Sequence, residues 1–490
     1  MSSLVRVTVA RSAKTGADVI VAAAFKGEAP VVDGLPKGIA NAIGRAVKTK
    51  RFTGKKGEQR EAIAAGGRPV VVFGLGSREH FSWRALRSLI LGLRAQARSH
   101  GRSRVMLVVP SHALLSGATG ALGLVRHLAL ARYEFNEFRE APTRTSLRQV
   151  ALLPGPDEED VYRETVSLAN ALAEAAAWAR DLGNTPPNQA TPEWMAEQAR
   201  SLAEEAGFTV EVLNEGDLEE RGMGGILSVG AGSRNPPRLV KLEAGSGERV
   251  VALVGKGITF DTGGISIKPA AAMQDMKFDK SGACAVLGMM RAVAKIEPDC
   301  TVRAYLALAE NMPDGAAYRP GDIVRCYNGK TVEIHNTDAE GRMVLADALA
   351  LASEEGADAL LEFSTLTGAC VVALGENTAG LYTSSDELAA DLLTSSTETG
   401  EQLWRMPLWP EFREAMKGTY GDLKNSGSRW GGANTAAGFL SNFVSGVEQW
   451  AHLDIAGPAY VGAGNRGDQG ATGYGVALVA HWLLRQQGRI

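Results

Sequence analysis

Short apolar runs alternate with stretches of helical spacing along this chain. Residues 69–76 and 104–110 are rich in β-branched side chains and end at Gly or Pro, which is typical of buried strands. Between them, residues 81–99 place apolar residues at helical spacing and leave arginines on the opposite face. The first 150 residues are therefore predicted to form an α/β domain.

A long helical pattern separates this segment from the rest of the chain. It covers residues 157–181, begins after Pro154-Gly155-Pro156 and stops before Asn184-Thr185-Pro186-Pro187. The pattern predicts a helix that links two domains. The predicted limits are 1–156 for the N-terminal α/β domain, 157–182 for the linking helix and 183–490 for the larger C-terminal domain.

Strands and helices alternate again in the C-terminal domain. The predicted strands are 249–255, 301–309 and 357–365, and the predicted helices are 281–296 and 342–354. Asn328-Gly329 separates two short apolar segments and favours a hairpin with a type I′ turn. The fold class predicted for this domain is α/β, with a mixed, largely parallel sheet covered by helices on both faces.

Composition places the chain among ordinary globular enzymes, with 45% apolar and 22% charged residues. No run approaches about 18 uncharged apolar residues, so no membrane span is predicted. The first residues, with Arg6 and Arg11, lack the apolar segment of a signal peptide. The four cysteines show no CxxC spacing, which favours reduced thiols over disulfides or a zinc knuckle. We therefore expect a cytoplasmic protein.

Charge is distributed unevenly along the chain. Residues 1–150 hold 25 Lys and Arg against 9 Asp and Glu, a net charge of +16, whereas the remaining residues hold 27 against 46, a net charge of −19. Such asymmetry indicates either a polyanion-binding N-terminal domain or an electrostatic match within and between subunits. The second interpretation is favoured.

Four acids occupy loop positions beside predicted strands, namely Asp261, Asp279, Asp338 and Glu340. Each one alone is more often a cap or turn residue. Together they are unusual, because burying several carboxylates without a cation is costly and hard divalent cations prefer oxygen ligands. Glycines that let the backbone approach a site closely accompany them, at Gly263, Gly264, Gly282 and Gly341. The sequence therefore favours a divalent metal site.

Three basic residues accompany these acids. Lys256 lies between two glycines at a predicted strand end, and it can ligate a cation only in its neutral form, which nearby divalent charge would favour. Lys268 can stay protonated and polarise a scissile carbonyl or stabilise a tetrahedral oxyanion. Arg342 is always charged and therefore cannot act as a base. Its planar guanidinium, with two parallel N–H groups, suits a carboxylate or a small oxyanion. The combination indicates a hydrolase.

Ordered motifs carry a resemblance to a known family. Residues 336–342 read Asn-Thr-Asp-Ala-Glu-Gly-Arg, and residues 256–268 read Lys-Gly-Ile-Thr-Phe-Asp-Thr-Gly-Gly-Ile-Ser-Ile-Lys. Further matches lie at 229–239, 365–369 and 450–457. From roughly Arg180 to His481 the chain resembles the leucyl (cytosol) aminopeptidase family of two-metal exopeptidases. The first 150 residues carry no comparable match.

The resemblance implies two divalent ions per subunit. Lys256, Asp261, Asp279 and Glu340 would bind one ion. Asp261, Asp338 and Glu340 would bind the other, so that Asp261 and Glu340 bridge the pair. Zinc or manganese is the expected ion, because carboxylate-rich sites accept several hard cations.

The resemblance also implies which residues act on the substrate. Lys268 and Arg342 occupy the two catalytic positions, with a bicarbonate at Arg342 as general base. Lys268 and Asp279 also contact the substrate. Four further positions match residues that contact the substrate or line the pocket for its first side chain, namely Met276, Thr365, Leu366 through its backbone, and Gly368.

The implied reaction removes one N-terminal residue at a time from peptides, with leucine-like side chains preferred. A free α-amine anchors such a substrate at the metal site, and a blocked or internal amine lacks that anchor. Family members assemble as hexamers, so a homohexamer is expected.

Two features need a separate interpretation. Lys280 follows Asp279 where the family often has an apolar residue, and its charge would weaken metal binding if it pointed inward. His452 and Asp454 resemble part of a catalytic triad, but no paired nucleophile is apparent, so a structural pair at a strand end is favoured.

Two alternatives stay open. The basic N-terminal domain could bind nucleic acid, in addition to peptidase activity or instead of it. Its basic residues form one group at Lys48, Lys50, Arg51, Lys55, Lys56 and Arg60 and another at Arg94, Arg98, Arg102 and Arg104. A two-metal phosphoesterase is the weaker alternative, because histidine ligands are scarce near the acids.

Overall fold

The computed structural model describes residues 4–12, 16–48, 52–140, 147–462 and 469–490. The chain divides into two compact units, Met1–Ala177 with Glu398–Gly400 and Ile490, and Trp178–Thr397 with Glu401–Arg489. The domain limits at 156 and 182 stay a prediction.

The first unit is built on one six-stranded sheet. Its strands are β1 (Arg6–Val9), β2 (Val19–Ala24), β3 (Gln59–Ile63), β4 (Pro69–Gly74), β5 (Arg104–Val108) and β6 (Gln149–Leu153). Its helices are α1 (Lys37–Lys48), α2 (Trp83–His100) and α3 (Gly117–Ala129). The strand order is β1-β6-β5-β2-β4-β3, and all pairs are parallel except β3 with β4. The predicted N-terminal α/β domain is confirmed.

Helix α4 (Glu159–Asn184) follows the first sheet and is 26 residues long. It begins directly after a 3₁₀ turn at Pro156–Glu158. Proline has no backbone N–H to donate, so Pro156 is tolerated at the start of this helical segment but would disrupt its interior. The helix ends before Thr185, which precedes two prolines. The division between the two units falls inside this helix, between Ala177 and Trp178.

The second unit holds the larger sheet and the remaining helices. The helices are α5 (Pro192–Ala206), α6 (Glu215–Glu220), α7 (Gly224–Gly230), α8 (Ser281–Ile296), α9 (Gly341–Glu354), α10 (Gly368–Leu374), α11 (Asp386–Thr399), α12 (Pro410–Glu414), α13 (Gly432–Leu440) and α14 (Val476–Gln486). The strands are β7 (Thr209–Leu213), β8 (Arg238–Ala244), β9 (Val250–Asp261), β10 (Thr301–Asn311), β11 (Ile323–Arg325), β12 (Thr331–Glu333), β13 (Ala359–Ser364), β14 (Ala379–Tyr382), β15 (Leu403–Arg405), β16 (Leu423–Lys424), β17 (Gln449–Asp454), β18 (Tyr460–Val461) and β19 (Gly470–Ala471).

The main sheet has the strand order β15-β14-β17-β13-β9-β10-β8-β7. Strands β17, β13, β9 and β10 run parallel at its centre, and β14, β8 and β7 introduce antiparallel pairs. Alternate residues of β13 enter two different cores, since Leu361 packs with helices α8 and α14, whereas Leu360 packs with α9 and α13. The predicted mixed sheet with helices on both faces is confirmed.

Strand β9 is longer than its sequence predicts. The predicted strand stops at 255, but β9 continues to Asp261, so Lys256 lies inside the strand rather than at its end. Parallel pairing with β10 extends through Gly257 opposite Leu308 and Ile258 opposite Ala309. Pairing with β13 stops at Gly255, so in this extension the ladder with β10 in a buried environment outweighs the poor strand propensity of glycine.

The hairpin between β11 and β12 is confirmed, but its type I′ turn is wrong. A type I′ turn needs positive φ at both central residues, and here Gly329 has φ 83° whereas Asn328 has none. Gly329 N–H donates to Cys326 O at 2.8 Å, and Cys326 N–H donates to Lys330 O at 2.9 Å. These bonds fit a longer loop that ends in a left-handed glycine.

All four cysteines are buried free thiols, as predicted. Within the described part of the chain, every helix is too short or too polar to span a bilayer.

Asp347 on α9 makes the stability of the second unit depend on pH. Its carboxylate is fully buried and accepts the backbone N–H groups of Ile226 and Tyr327, each at 2.8 Å. Burial raises the pKa of Asp347 to about 7, although those N–H groups oppose the shift. The raised pKa favours the folded state fully below about pH 4, and this advantage is lost as pH rises to about 7.

We expect Asp347→Asn to remove this pH dependence. Between pH 4 and pH 8, the free energy of unfolding of the wild-type protein should fall by up to about 4 kcal/mol relative to the variant. The reason is that the pKa of Asp347 in the folded protein lies about three units above that of an unfolded aspartate. Urea unfolding of both proteins at several pH values measures the difference. A difference that stays constant with pH contradicts the prediction.

Candidate active site

The four parallel central strands end at one edge of the main sheet, and each ends at a polar residue. Strand β9 ends at Asp261, β10 at Asn311, β13 at Ser364 and β17 at Asp454. Carboxyl ends of parallel strands form the usual ligand-binding edge of an α/β sheet. The remaining acids reach this edge from connecting segments, Asp279 after a 3₁₀ segment at Met273–Phe278 and the Asp338–Glu340 turn before α9.

Two lysines join the four acids into one cluster, the acid–lysine cluster. Lys256 Nζ lies 2.8 Å from Glu340 Oε1 and 2.8 Å from Asp279 Oδ2. Lys268 Nζ lies 2.5 Å from Asp261 Oδ2 and also contacts Asp338 Oδ1. The structure therefore brings together all six of these predicted site residues.

The acids fit a divalent cation. Oxygens of Asp261, Asp338 and Glu340 lie within 4.8 Å of one another. Burial raises the pKa of each of the four acids, and neighbouring carboxylates add to the shift. Glu340 Oε2 is buried and has no hydrogen-bond partner among the described residues. An added positive charge would satisfy this oxygen and offset the repulsion among the acids.

Both lysines are ammonium groups in this arrangement. Burial favours their neutral form, but the carboxylates of Asp279, Glu340 and Asp261 outweigh burial and raise the pKa of Lys256. The same balance, with Asp261 as the main carboxylate, raises the pKa of Lys268. Lys256 must therefore lose its proton before it can ligate a cation.

A glycine permits the contact between Lys256 and Glu340. A Cβ atom at Gly341 would lie 2.7 Å from Lys256 Nζ and 2.6 Å from its Cε. Any side chain at this position would displace the lysine from the carboxylate. Gly341 is needed for this close approach, as the sequence predicts.

Residues that the sequence did not single out hold Asp261 in place. Asn311 Nδ2 donates to Asp261 Oδ1 at 2.8 Å and to Thr337 O at 3.0 Å. Tyr318 donates its hydroxyl to the same Thr337 carbonyl at 2.8 Å. Asn311 pairs with Asp261 across β10 and β9, so its position at the end of a parallel strand was the available signal.

Arg342 lies beside the cluster at the start of α9. Its Nη1 donates to Asn425 O at 2.8 Å, whereas its buried Nε finds no hydrogen-bond partner in the part of the chain that the structure describes. Burial lowers the pKa of Arg342 to about 10, against the carboxylates of Glu340 and Asp454. The group stays charged at neutral pH, and its unpaired N–H fits a small oxyanion.

The predicted substrate positions flank the cluster. Thr365 Oγ1 donates to Asp279 Oδ1 at 2.7 Å, and Thr365 O accepts from Lys256 Nζ at 3.1 Å. Met276 is linked to Asp279 through the backbone, since Asp279 N–H donates to Met276 O at 3.2 Å. Leu366 follows Thr365 in the turn that leads into α10, and Gly368 is the first residue of that helix. Of these four positions, Thr365 has a side chain that touches the cluster.

Lys280 is fully buried, and backbone carbonyls rather than the four acids accept from its ammonium. Its Nζ donates to Gly183 O, Thr185 O and Lys277 O at 3.1, 3.0 and 2.6 Å. Burial lowers the pKa of Lys280 to about 8. Lys280 therefore connects the end of α4 to the segment that carries Asp279 through hydrogen bonds.

The expected pair of His452 and Asp454 is wrong. His452 Nδ1 hydrogen-bonds Glu362 on the neighbouring strand β13, and its ring stacks on Tyr382 with centroids 5.4 Å apart. Asp454 instead contacts the turn after β13. The two residues lie on one face of β17, but each meets a different part of β13 and its turn.

Comparisons with known proteins agree with this site. The model of the cytosol aminopeptidase family's catalytic domain matches residues 177–480, and that of its N-terminal domain matches residues 21–142. The expectation that the first 150 residues lack a family match is therefore wrong, because that domain carries no short chemical motif by which to recognise it.

Curated relatives match over most of the chain. A "Probable cytosol aminopeptidase" of Aquifex aeolicus (strain VF5) is 39% identical over 476 residues, which are 95% of this chain and 95% of the relative. Another from Dechloromonas aromatica (strain RCB) is 44% identical over 366 residues, 74% of this chain and 73% of the relative. Among solved structures, "Bottromycin maturation enzyme BotP" is similar with a TM-score of 0.83 and 35% identity, covering 96% of this chain and 100% of that chain.

The carboxylate cluster and these matches define a metal-dependent aminopeptidase, a hydrolase that acts on peptides from the N-terminus. The chain belongs to the cytosol aminopeptidase family, peptidase family M17.

Proposed function

We propose that this aminopeptidase removes leucine-like residues from peptides in the cytoplasm with two divalent cations. The observation that carries the proposal is the buried acid–lysine cluster, in which no described residue hydrogen-bonds Glu340 Oε2. The names of the relatives, which place them in the cytosol, support the location.

Five residues are the proposed metal ligands. Lys256, Asp261, Asp279 and Glu340 would hold one ion, with Lys256 neutral, and Asp261, Asp338 and Glu340 would hold the other. Zinc and manganese both suit this set of oxygen and nitrogen donors. The solved structure of BotP "in complex with Mn" supports manganese. When bound, the two ions acidify a water molecule and polarise the scissile carbonyl.

Lys268 is the proposed electrophilic residue. The carboxylates of Asp261 and Asp338 raise the pKa of the Lys268 ammonium, so this group stays charged at neutral pH. Its side chain is 20% exposed, against 3% for Lys256, which supports a role facing the substrate. It would donate to the oxygen of the scissile carbonyl as negative charge develops there.

Arg342 is the proposed holder of a bicarbonate. The unpaired Nε supports this role, because a planar oxyanion accepts two parallel N–H groups of a guanidinium. Arg342 would hold the bicarbonate there, and the bound anion would supply general acid–base chemistry to the reaction.

Asp279 and the pocket residues are proposed to bind the substrate and to determine which N-terminal side chain is preferred. Asp279 would accept from the free α-amine, and the backbone of Leu366 would contact the substrate. Met276, Thr365 and Gly368 would line the pocket for the first side chain. A flexible thioether and a glycine leave room for a medium-sized apolar group, which supports the leucine preference.

A panel of aminoacyl-anilides tests the proposal. We expect leucine and methionine anilides to be cleaved with higher kcat/KM than glutamate and glycine anilides, N-acetyl-leucine anilide to resist cleavage, and a chelator to abolish activity until Mn²⁺ or Zn²⁺ is restored. Cleavage of the acetylated substrate, or full activity in the chelated protein, contradicts the assignment.

A homohexamer is proposed as the assembly. Large apolar side chains are exposed on the single chain, including Trp430 at 75% and Tyr420 at 86%, together with Trp404 and Trp409. Such exposure supports burial against other subunits. Light scattering should give six chain masses, and a monomer at micromolar concentration contradicts this proposal.

Nucleic-acid binding is proposed only as an accessory role of the first unit. The exposed lysines Lys48, Lys55 and Lys56 support it, since no ion pair involves them among the described residues. Lys50 and Arg51 lie outside those residues. Arg60 pairs with Glu58, and the second basic group is engaged within the unit by Glu134, Glu61 and Asp18.

A salt titration with labelled duplex DNA tests this role. Binding should fall steeply between about 50 and 200 mM salt and should weaken in a Lys55→Glu, Lys56→Glu variant. Absence of binding at low salt contradicts the nucleic-acid proposal. The positive charge of the first unit is then explained by electrostatic complementarity with acidic regions within and between subunits, the interpretation that the sequence favours.

A further inference from the structure

The turn that joins β13 to α10, residues 365–367, faces the acid–lysine cluster on one side. Thr365 contacts Asp279 through its hydroxyl at 2.7 Å and Lys256 through its carbonyl at 3.1 Å. The next residue, Leu366, is the proposed backbone contact to the substrate. The conformation of this turn therefore decides where the Leu366 carbonyl points.

A buried carboxylate holds the turn from the other side. Asp454, at the end of β17, is fully buried, and its Oδ1 accepts the backbone N–H groups of Leu366 at 3.2 Å and Thr367 at 3.4 Å. The same oxygen accepts the N–H of Ala456, two residues further along its own segment, at 3.2 Å. Asp454 Oδ2 accepts the hydroxyl of Thr367 at 2.7 Å. That hydroxyl also accepts the N–H of Cys370 at 3.0 Å and caps α10. One side chain thus fixes two successive peptide units.

These bonds give the Leu366 carbonyl a direction. In a trans peptide the C=O of one residue and the N–H of the next point to opposite sides. Because the Thr367 N–H points to Asp454 on β17, the Leu366 C=O points away from it. The strand order β17-β13-β9 places Lys256 and Asp261 on that opposite side. The carbonyl is therefore directed to the acid–lysine cluster.

A substrate offers two kinds of N–H near the bond to be cleaved, the α-amine and the scissile amide. The acids of the cluster supply acceptors for the α-amine, whereas the scissile N–H needs a neutral acceptor that does not take its proton. A backbone carbonyl meets this need. No group among the described residues donates to the Leu366 carbonyl, which has the required direction.

We propose that Asp454 is a positioning residue that orients the Leu366 carbonyl to accept the scissile N–H of the substrate, an inference that rests on the proposed aminopeptidase function. Asp454 itself touches no substrate. Its removal should leave the metal ligands in place and should weaken one hydrogen bond that forms at the bond to be cleaved.

A pair of substrates that differ by one atom tests the inference. Leucyl-alanine has the scissile N–H, and the depsipeptide leucyl-lactate has an ester oxygen in its place. We expect Asp454→Ala, with metal content equal to that of the wild-type protein, to lose about tenfold to a hundredfold in kcat/KM on leucyl-alanine. The loss on leucyl-lactate should be below about threefold.

Two further variants separate orientation from general damage. Asp454→Asn keeps a carbonyl oxygen for both N–H groups, so it should restore most of the leucyl-alanine activity. Glu362→Gln changes another fully buried acid on the adjacent strand, whose side chain bonds His452 instead of the turn, and it should affect both substrates equally.

Equal losses of Asp454→Ala on both substrates, or no loss on either, overturn the inference while the aminopeptidase function stands. If Asp454→Ala shows no cooperative melting, Thr367→Val takes its place, because it removes the 2.7 Å bond and keeps the carboxylate. A loss specific to leucyl-alanine is again expected, and an equal loss again overturns the inference. A folded wild-type protein without chelator-sensitive hydrolysis overturns the proposed function as well.

Discussion

Glu340→Gln should lower kcat/KM on leucine anilide by at least about a thousandfold, which corresponds to about 4 kcal/mol of lost transition-state stabilisation. The substitution keeps the size of the side chain but replaces an anionic oxygen by an amide NH₂. Glu340 is the acid that lies both within 4.8 Å of Asp261 and Asp338 and within 2.8 Å of Lys256. It is proposed to bridge both ions, so both should bind less tightly.

Steady-state kinetics at saturating Mn²⁺ measure the loss. Glu310→Gln is the matched control, because Glu310 is also a buried acid near the end of a central strand but accepts from Ser233 and Asn235 rather than facing the cluster. The control should stay within about threefold of the wild-type protein, since its bonds are remote from the chemistry. Activity of Glu340→Gln within tenfold of wild type contradicts the assignment of this residue.

Gly282→Ala should destabilise the second unit by about 3 kcal/mol or more, the range of severe overpacking. A Cβ atom at Gly282 would lie 2.1 Å from the carbonyl oxygen of Phe363 and 2.9 Å from the backbone of Lys256. Both neighbours belong to central strands, so neither can move without opening the sheet. The packing is also tight from the strand side, because a Cβ at Gly255 would lie 2.8 Å from Ala283 Cα.

Thermal unfolding and soluble yield measure this effect. Gly315→Ala is the control, since a Cβ there meets nothing within 4 Å, and its stability should change by less than about 0.5 kcal/mol. A Gly282→Ala protein as stable as this control would show that α8 can move away from β9 and β13 at little cost. Because Asp279 lies three residues before Gly282, reduced activity should accompany the destabilisation.

Much of the site could be predicted because its chemistry is concentrated in short segments. Asp338 and Glu340 lie on one turn, and Lys256 and Asp261 are five residues apart in a glycine-rich segment, so their residue types and spacing already indicate a cation site. The alternation of apolar runs likewise predicts the parallel core, since those strands are buried on both faces. The charges of the lysines in this arrangement required the structure, because distances to the carboxylates determine their pKa values.

Residues that support the site through long-range contacts could not be recognised from spacing. Asn311 and Asp454 come from strands β10 and β17, and each acts on a segment far away in the sequence. The sequence suggested His452, two residues away, as the partner of Asp454, whereas its long-range hydrogen bonds come from the turn after β13. The basic N-terminal groups show the same limitation, since the acids that pair with Arg102 and Arg104 are Glu61 and Asp18.

Counting bound metal ions while assaying activity tests the central claim most directly. Chelated, metal-free protein is titrated with Mn²⁺, bound metal is measured by plasma mass spectrometry, and leucine anilide hydrolysis is assayed at each point. Two ions per chain should bind, and activity should rise with their binding in the wild-type protein but not in Glu340→Gln. Full hydrolysis by metal-free protein, or two ions bound equally tightly by the variant, would contradict the account.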